Sequence, residues 1–205
     1  MCGTRPALRV VDTVTTQSSD DAFHCITITV FYDEPDDPGL RDVNAMTPEA
    51  ARDAFRTCCG AARWVQAMSD ARPYASADAL FARADEAWSA CGEDDWLEAF
   101  RAHPRIGERK AHADTGAQAA RWSSQEQAAV TASGDDVRAA LAEVNRAYEE
   151  RFGFIYIVCA SGRSPDELLS LARARLANTR DEELRNAAAE QHKILRLRLE
   201  KLLTP

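Results

Sequence analysis

Thr179 to Leu203 reads T-R-D-E-E-L-R-N-A-A-A-E-Q-H-K-I-L-R-L-R-L-E-K-L-L. Thr179, with Glu182 three residues on, is a capping box. Its hydroxyl and the carboxylate each satisfy a backbone N–H that a helix start leaves without a partner. Behind it Leu184, Ala188, Gln191, Leu195, Arg198 and Leu202 recur at spacings of three and four. That period places them on one face of a helix. No glycine or proline interrupts the run, so it predicts one long helix ending at Leu203.

The same signals recur upstream. Ser164-Pro165-Asp166-Glu167 is a second capping box with proline at the first helical position, and predicts a helix to about Ala177. Asp136 to Phe152 carries a stripe of Val137, Leu141, Val144 and Tyr148, and Gly153 stops it. Thr47-Pro48-Glu49 opens a helix to about Cys59, before Gly60. Ala61 to Ser69 is a short helix with Trp64 and Met68. Ser76 opens another, with Leu80, Phe81, Ala84, Trp88 and Cys91 on one side and Gly92 at its end. Trp96, Phe100 and His103 share a face of the next, which Pro104 stops. Residues 105–121 are polar and irregular, after which Ser123-x-x-Glu126 reads as a capping box opening a helix to about Ser133. Phe154 to Ala160 (F-I-Y-I-V-C-A) is apolar throughout. Such a run is a buried strand-like segment or a buried turn of helix, and period cannot decide between them. Every element that the pattern assigns is helical, so the fold class is all-α.

Residues 1–39 stand apart as an irregular or strand-like extension to a helical domain spanning 40–205. Thr15 to Asp21 is polar throughout, Cys25 to Tyr32 alternates like a strand, and Asp33 to Gly39 (D-E-P-D-D-P-G) is a turn-rich acidic linker. The 205 residues suffice for one domain with a proper core, and no repeat or second domain is visible.

A net charge of −8 argues against a nucleic-acid partner, whose phosphates call for a basic surface. It leaves room for a small anionic ligand, which needs only one or two local cations. No apolar run reaches the roughly 20 residues of a membrane span, and no secretory leader is seen. The six cysteines, at 2, 25, 58, 59, 91 and 159, show neither C-x-x-C nor C-x-x-H spacing. They read as reduced core thiols of a cytoplasmic protein, not as a disulfide scaffold or zinc site. His24, His112 and His192 form no metal-ligand spacing with His103.

Three side chains could carry chemistry. His103 follows an aromatic-faced helix and precedes a proline. Its imidazole titrates near neutrality and suits proton transfer, and the negative end of a helix favours its charged form. It could equally cap its own helix. Glu126 is either the acid of a capping box or a carboxylate offered to a ligand. Arg198 lies on an otherwise apolar face. It could snorkel to water, pair with an internal acid or grip a substrate carboxylate.

Longer motifs narrow these alternatives. Trp96-Leu97-Glu98-Ala99-Phe100, Ala102-His103-Pro104-Arg105-Ile106-Gly107, Ser123-x-x-Glu126-Gln127, Phe152-Gly153-Phe154-x-Tyr156 and Lys193-Ile194-x-x-Leu197-Arg198-Leu199 stand in that order. Together, from about Leu40 to Leu203, they resemble the 2-oxo-4-hydroxy-4-carboxy-5-ureidoimidazoline (OHCU) decarboxylases. The resemblance implies a multihelical, cofactor-free homodimer that converts an anionic ureidoimidazoline from urate breakdown to (S)-allantoin and CO2. It implies a catalytic His103, with Glu126 sharing the proton work. It places substrate binding at Pro104, at Ser123, Ser124, Gln125, Glu126 and Gln127, at the backbone of Tyr156, Ile157, Val158, Cys159 and Ala160, and at Arg198. Animal members continue His-Pro with an Asp-Leu-Ala-Gly type sequence. Here Arg105-Ile106-Gly107-Glu108 follows, which resembles a bacterial form. Competing readings are another ureido-compound decarboxylase or hydrolase on this scaffold, or a non-catalytic helical interaction domain.

Overall fold

The computed structural model describes residues 9–16, 26–32, 37–106 and 117–204. Among these, β1 (Arg9–Thr16) and β2 (Ile26–Tyr32) form an antiparallel pair. β2 matches the alternating stretch, while β1 takes in Thr15 and Thr16 of the stretch read as polar throughout. Cys25 and Asp33 lie outside the described residues.

Ten helices follow among the described residues: α1 (Pro38–Ala45), α2 (Pro48–Cys58), α3 (Ala62–Asp70), α4 (Ala77–Ser89), α5 (Glu93–Arg101), α6 (Ala117–Glu126), α7 (Ala128–Thr131), α8 (Asp135–Phe152), α9 (Pro165–Arg175) and α10 (Arg180–Leu203). The class is all-α. Both downstream capping boxes form, at Ser164/Glu167 and Thr179/Glu182, and Thr47 and Ser76 cap α2 and α4. Gly153 ends α8 at φ 79°, in the left-handed region that glycine enters without penalty.

Two boundaries differ from the sequence reading. The chain turns helical at Pro38, within the stretch expected to be a linker, because Asp37 accepts from the Leu40 N–H and Pro38 is preset for a first turn. Ser123 and Glu126 do not open a helix. They lie in the last turns of α6, which begins at Ala117, so their side chains are not spent on caps. The helix includes Ala117-Gln118-Ala119-Ala120-Arg121, which are good helix formers.

α10 is the centre of the domain and packs against α1, α2, α4, α5 and α8. Its buried arc is therefore wider than one row. Ala187, Ile194, Leu199 and Leu203 are buried along with Leu184, Ala188, Leu195 and Arg198, while Leu202 is only half-buried. Trp64, Phe55, Phe100, Tyr148 and Leu195 fill the core, each contributing roughly 1.5–3 kcal/mol by burial. The tryptophans keep their polar handles satisfied where they are deepest: the Trp64 Nε1–H donates to the Ala84 carbonyl at 3.1 Å. The apolar segment 154–160 joins α8 to α9 without helical hydrogen bonds or a ladder partner. All of it is buried except the half-buried Ile155.

Candidate active site

His103 follows α5 directly. The helix tightens at its end, with the Ala102 and His103 amides donating to Ala99 and Phe100 carbonyls at 3.2 and 3.0 Å. Beneath this turn lies Gly60, where a Cβ would come within 2.5 Å of the Ala102 Cβ. Gly60 therefore serves close approach between the α2–α3 loop and the turn that aims His103. Beyond Pro104 the chain is pinned to α8. Arg105 makes a bidentate pair with Glu149, both contacts at 2.9 Å, and the Ile106 carbonyl accepts from Asn145 at 2.9 Å. The divergent Arg105-Ile106 thus has a structural duty of its own.

Arg198 settles its own ambiguity: its partner is an internal acid. It is buried, and its Nε and Nη2 meet the two Glu126 carboxylate oxygens at 3.2 and 2.9 Å. Nη2 also donates to Ser123 Oγ at 2.8 Å, while Nη1 reaches the Thr57 carbonyl only at 3.4 Å. Lys201, one turn later, adds a contact to Glu126 Oε1 at 3.0 Å and lies over the Trp122 ring. Residues 72 apart in sequence are thereby locked together. Lys201 was missed in the sequence, although its place three residues after Arg198 puts it on the same face.

His103, Pro104, Ser123, Glu126, Gln127 and residues 156–160 line one cavity of about 30 Å³. His103 and Arg198 also line an adjoining cleft of about 440 Å³ with Thr57, Gly60 and Ala119. The Glu126–Arg198 pair stands between the two spaces. Imidazole, carboxylate and guanidinium therefore converge, from three segments, on adjacent spaces that share His103. Ser124 and Gln125 do not join them: both are exposed and line neither space.

Burial reverses the sequence expectation for the charge on His103. Desolvation, reinforced by the Arg198 guanidinium, pushes its pKa down to about 3, against a weaker opposing effect of Gln191. The helix-end field is outweighed. Gln191 is itself wholly buried on α10, and among the described residues neither amide atom finds a partner at hydrogen-bond geometry. It faces a histidine that is neutral at physiological pH.

The shift has a consequence for stability. An unfolded histidine titrates near 6.5 and the folded one near 3, so between these values only the unfolded chain takes the proton. His103 therefore costs no stability above pH 6.5, and its unfavourable contribution grows as pH falls toward 3. A His103→Asn variant is expected to lose less stability than the parent between pH 7 and 4 in urea titrations. Equal losses would show that the imidazole is not held neutral.

The thiols Cys58, Cys59, Cys91 and Cys159 are free and buried, and burial raises the pKa of each, to about 12 for Cys58 and Cys59. Such thiols are poor nucleophiles. Among the described residues no group of His, Cys, Asp and Glu could hold a metal ion, and no helix is long and apolar enough to cross a membrane.

The sequence profile of the OHCU decarboxylases matches residues 44–200. The chain belongs to this family. It is 36% identical over 159 residues to the uric acid degradation bifunctional protein TTL of Arabidopsis thaliana, covering 78% of this chain and 49% of that protein. It thus spans about half the length of that relative. Against the 2-oxo-4-hydroxy-4-carboxy-5-ureidoimidazoline decarboxylase of Haloferax volcanii it is 29% identical over 161 residues, covering 78% of this chain and 93% of the other. A crystal structure of an OHCU decarboxylase in the presence of (S)-allantoin superposes with a TM-score of 0.64 at 34% identity, over 75% of this chain and 99% of that one. The family assignment accounts for the meeting of the His-Pro, Ser-x-x-Glu-Gln and last-helix motifs in one place.

Proposed function

We propose that this OHCU decarboxylase-family chain decarboxylates 2-oxo-4-hydroxy-4-carboxy-5-ureidoimidazoline to (S)-allantoin. The observation that carries the reading is the convergence of His103, Glu126 and Arg198 on two adjoining spaces that share His103. A non-catalytic interaction domain has no use for it, and Glu126, tied to Arg198, is not a helix cap.

The chemistry needs little from the protein beyond placement and proton handling. The C–CO2 bond breaks and its electron pair forms a C=C bond to the neighbouring ring carbon. The C=N pair moves onto ring nitrogen, which takes a proton. The former hydroxyl loses its proton and becomes a carbonyl, while the neighbouring carbon gains a proton on one face. One proton is drawn from solvent for each CO2 released.

His103 enters this sequence neutral, ready to accept the hydroxyl proton. A bound carboxylate beside it raises its pKa, which lets the same ring hold that proton and return it to carbon. Arg198 Nη1, only loosely engaged by Thr57, is the donor with capacity left for the departing carboxylate. Glu126, paired with Arg198 and Lys201, accepts from the ureido or ring N–H groups and shares the proton work. Pro104, Ser123, Gln127 and the backbone of 156–160 complete the enclosure. Ser124 and Gln125 act through the position they give to their α6 neighbours. No cofactor enters the scheme. We read the chain as a bacterial form of the family, working as a cytoplasmic homodimer, on the strength of the motif resemblance.

The test supplies freshly generated urate-oxidation product and follows circular dichroism. One allantoin enantiomer is expected to appear faster than in the uncatalysed reaction, with one CO2 per turnover. Racemic product at the uncatalysed rate defeats the reading. Turnover of a different ureido compound in its place favours the related-enzyme alternative.

A further inference from the structure

Glu190 and Lys193 of α10 lie outside the site as described, although Lys193 belongs to the last-helix motif. Glu190 is buried at 8% exposure. Its Oε2 accepts from the Cys159 N–H at 2.8 Å, its Oε1 accepts from Lys193 Nζ at 2.5 Å, and Arg163 stands 3.6 Å away. A carboxylate taken this far from water costs several kcal/mol unless it is paired. Here two cations and an amide keep it charged: burial raises its pKa, but Lys193, the Cys159 amide and Arg163 outweigh burial and leave it lowered.

The same chain segment has a second tie. The Ile157 carbonyl accepts from Arg175 Nη1 at 2.9 Å, and Arg175 is itself held by Glu183 and stacked on Tyr156. Ile157 and Cys159 are two residues apart. In an extended chain the N–H and C=O groups of alternate residues point to the same edge, and those between them point to the other. The protein thus occupies one edge of the segment at 157 and 159. Val158 and Ala160 belong to the opposite edge. Both line the cavity beside His103, and among the described residues their amides have no acceptor.

We propose that Glu190 is a positioning residue of the decarboxylase site, gripping the Cys159 amide so that the Val158 and Ala160 amides face the cavity as a pair of donors for a substrate carbonyl or oxyanion. Cys159 N–H, one of the amides expected from the resemblance to bind substrate, is thereby withdrawn from that role. Lys193 fixes the grip from the outer side. The proposal rests on the decarboxylase reading for its substrate, but the grip itself does not.

Two substitutions separate reach from charge. Glu190→Asp keeps the charge and falls short by one methylene. Glu190→Gln keeps the reach and gives up the charge. If placement of the amides is what matters, Glu190→Asp lowers kcat/KM by about 10–10²-fold, the scale of a small misplacement of donors. Glu190→Gln then stays within about fivefold of the parent. In Glu190→Asp the Cys159 amide is expected to exchange its hydrogen at least about tenfold faster, with no general loss of protection, since a lost acceptor frees only the amide it held. Adding (S)-allantoin to the parent is expected to shift the Val158 and Ala160 amide resonances. Parent-like kcat/KM in Glu190→Asp, or a Glu190→Gln variant as impaired as Glu190→Asp, overturns the proposal. If the parent turns over no substrate, the decarboxylase reading falls, and the Cys159 exchange rate still decides whether Glu190 grips the segment.

Discussion

Replacing His103 with asparagine is expected to lower kcat/KM for allantoin formation by at least about 10²-fold, the usual contribution of a positioned acid or base. The melting temperature should stay within a few degrees of the parent, because the lost ring leaves a smaller polar group beside a cavity that already exists. Asparagine can still hydrogen-bond a hydroxyl but cannot take its proton. A loss confined to KM would therefore mean that His103 binds without transferring. Activity within about threefold of the parent, in a folded variant, removes His103 from the mechanism. The pH profile adds a separate check. A neutral imidazole in the free enzyme predicts that kcat/KM shows no limb near pH 6.5 from His103, since burial has moved that titration to about 3.

Much of the fold was visible in the sequence because its helices announce themselves. Thr179, Ser164, Thr47 and Ser76 place side-chain acceptors where a helix start needs them, and Gly153 closes α8; Gly92, expected to end α4, is instead the N-cap of α5, α4 having ended at Ser89. α6 hid because residues 117–121 show no apolar period of their own, while Ser123 and Glu126 imitate a helix start. That imitation follows from shared chemistry. A serine and a glutamate three residues apart can satisfy two backbone amides or one guanidinium, and only the presence of Arg198, 72 residues beyond Glu126, decides between them. The charge on His103 was misread for a similar reason. A helix-end field is a local property readable from sequence, whereas desolvation depends on what other segments pack above the ring. Glu190 looked like an ordinary helix position because the Cys159 amide it holds, too, comes from a distant segment.

Arg198→Met is expected to destabilise the chain strongly, as well as to abolish activity. The guanidinium makes two contacts to Glu126 and one to Ser123, and removing it leaves a carboxylate buried at about 10% side-chain exposure with Lys201 as its remaining cation. Breaking one partner out of a buried pair costs about 3–5 kcal/mol, and the surviving lysine places this case near the lower figure. For a chain of this size, with about 2–4 °C per kcal/mol, the melting temperature falls by about 6–12 °C. The sign of the coupling is the sharper test. If the penalty comes from the stranded charge, Glu126→Gln in the Arg198→Met background restores part of the lost stability, although Glu126→Gln alone destabilises the parent. Activity should not return in the double variant, because the carboxylate-gripping cation is still missing. A melting temperature within 2 °C of the parent for Arg198→Met, or simple additivity of the two substitutions, would mean that the pair is not what holds α6 against α10.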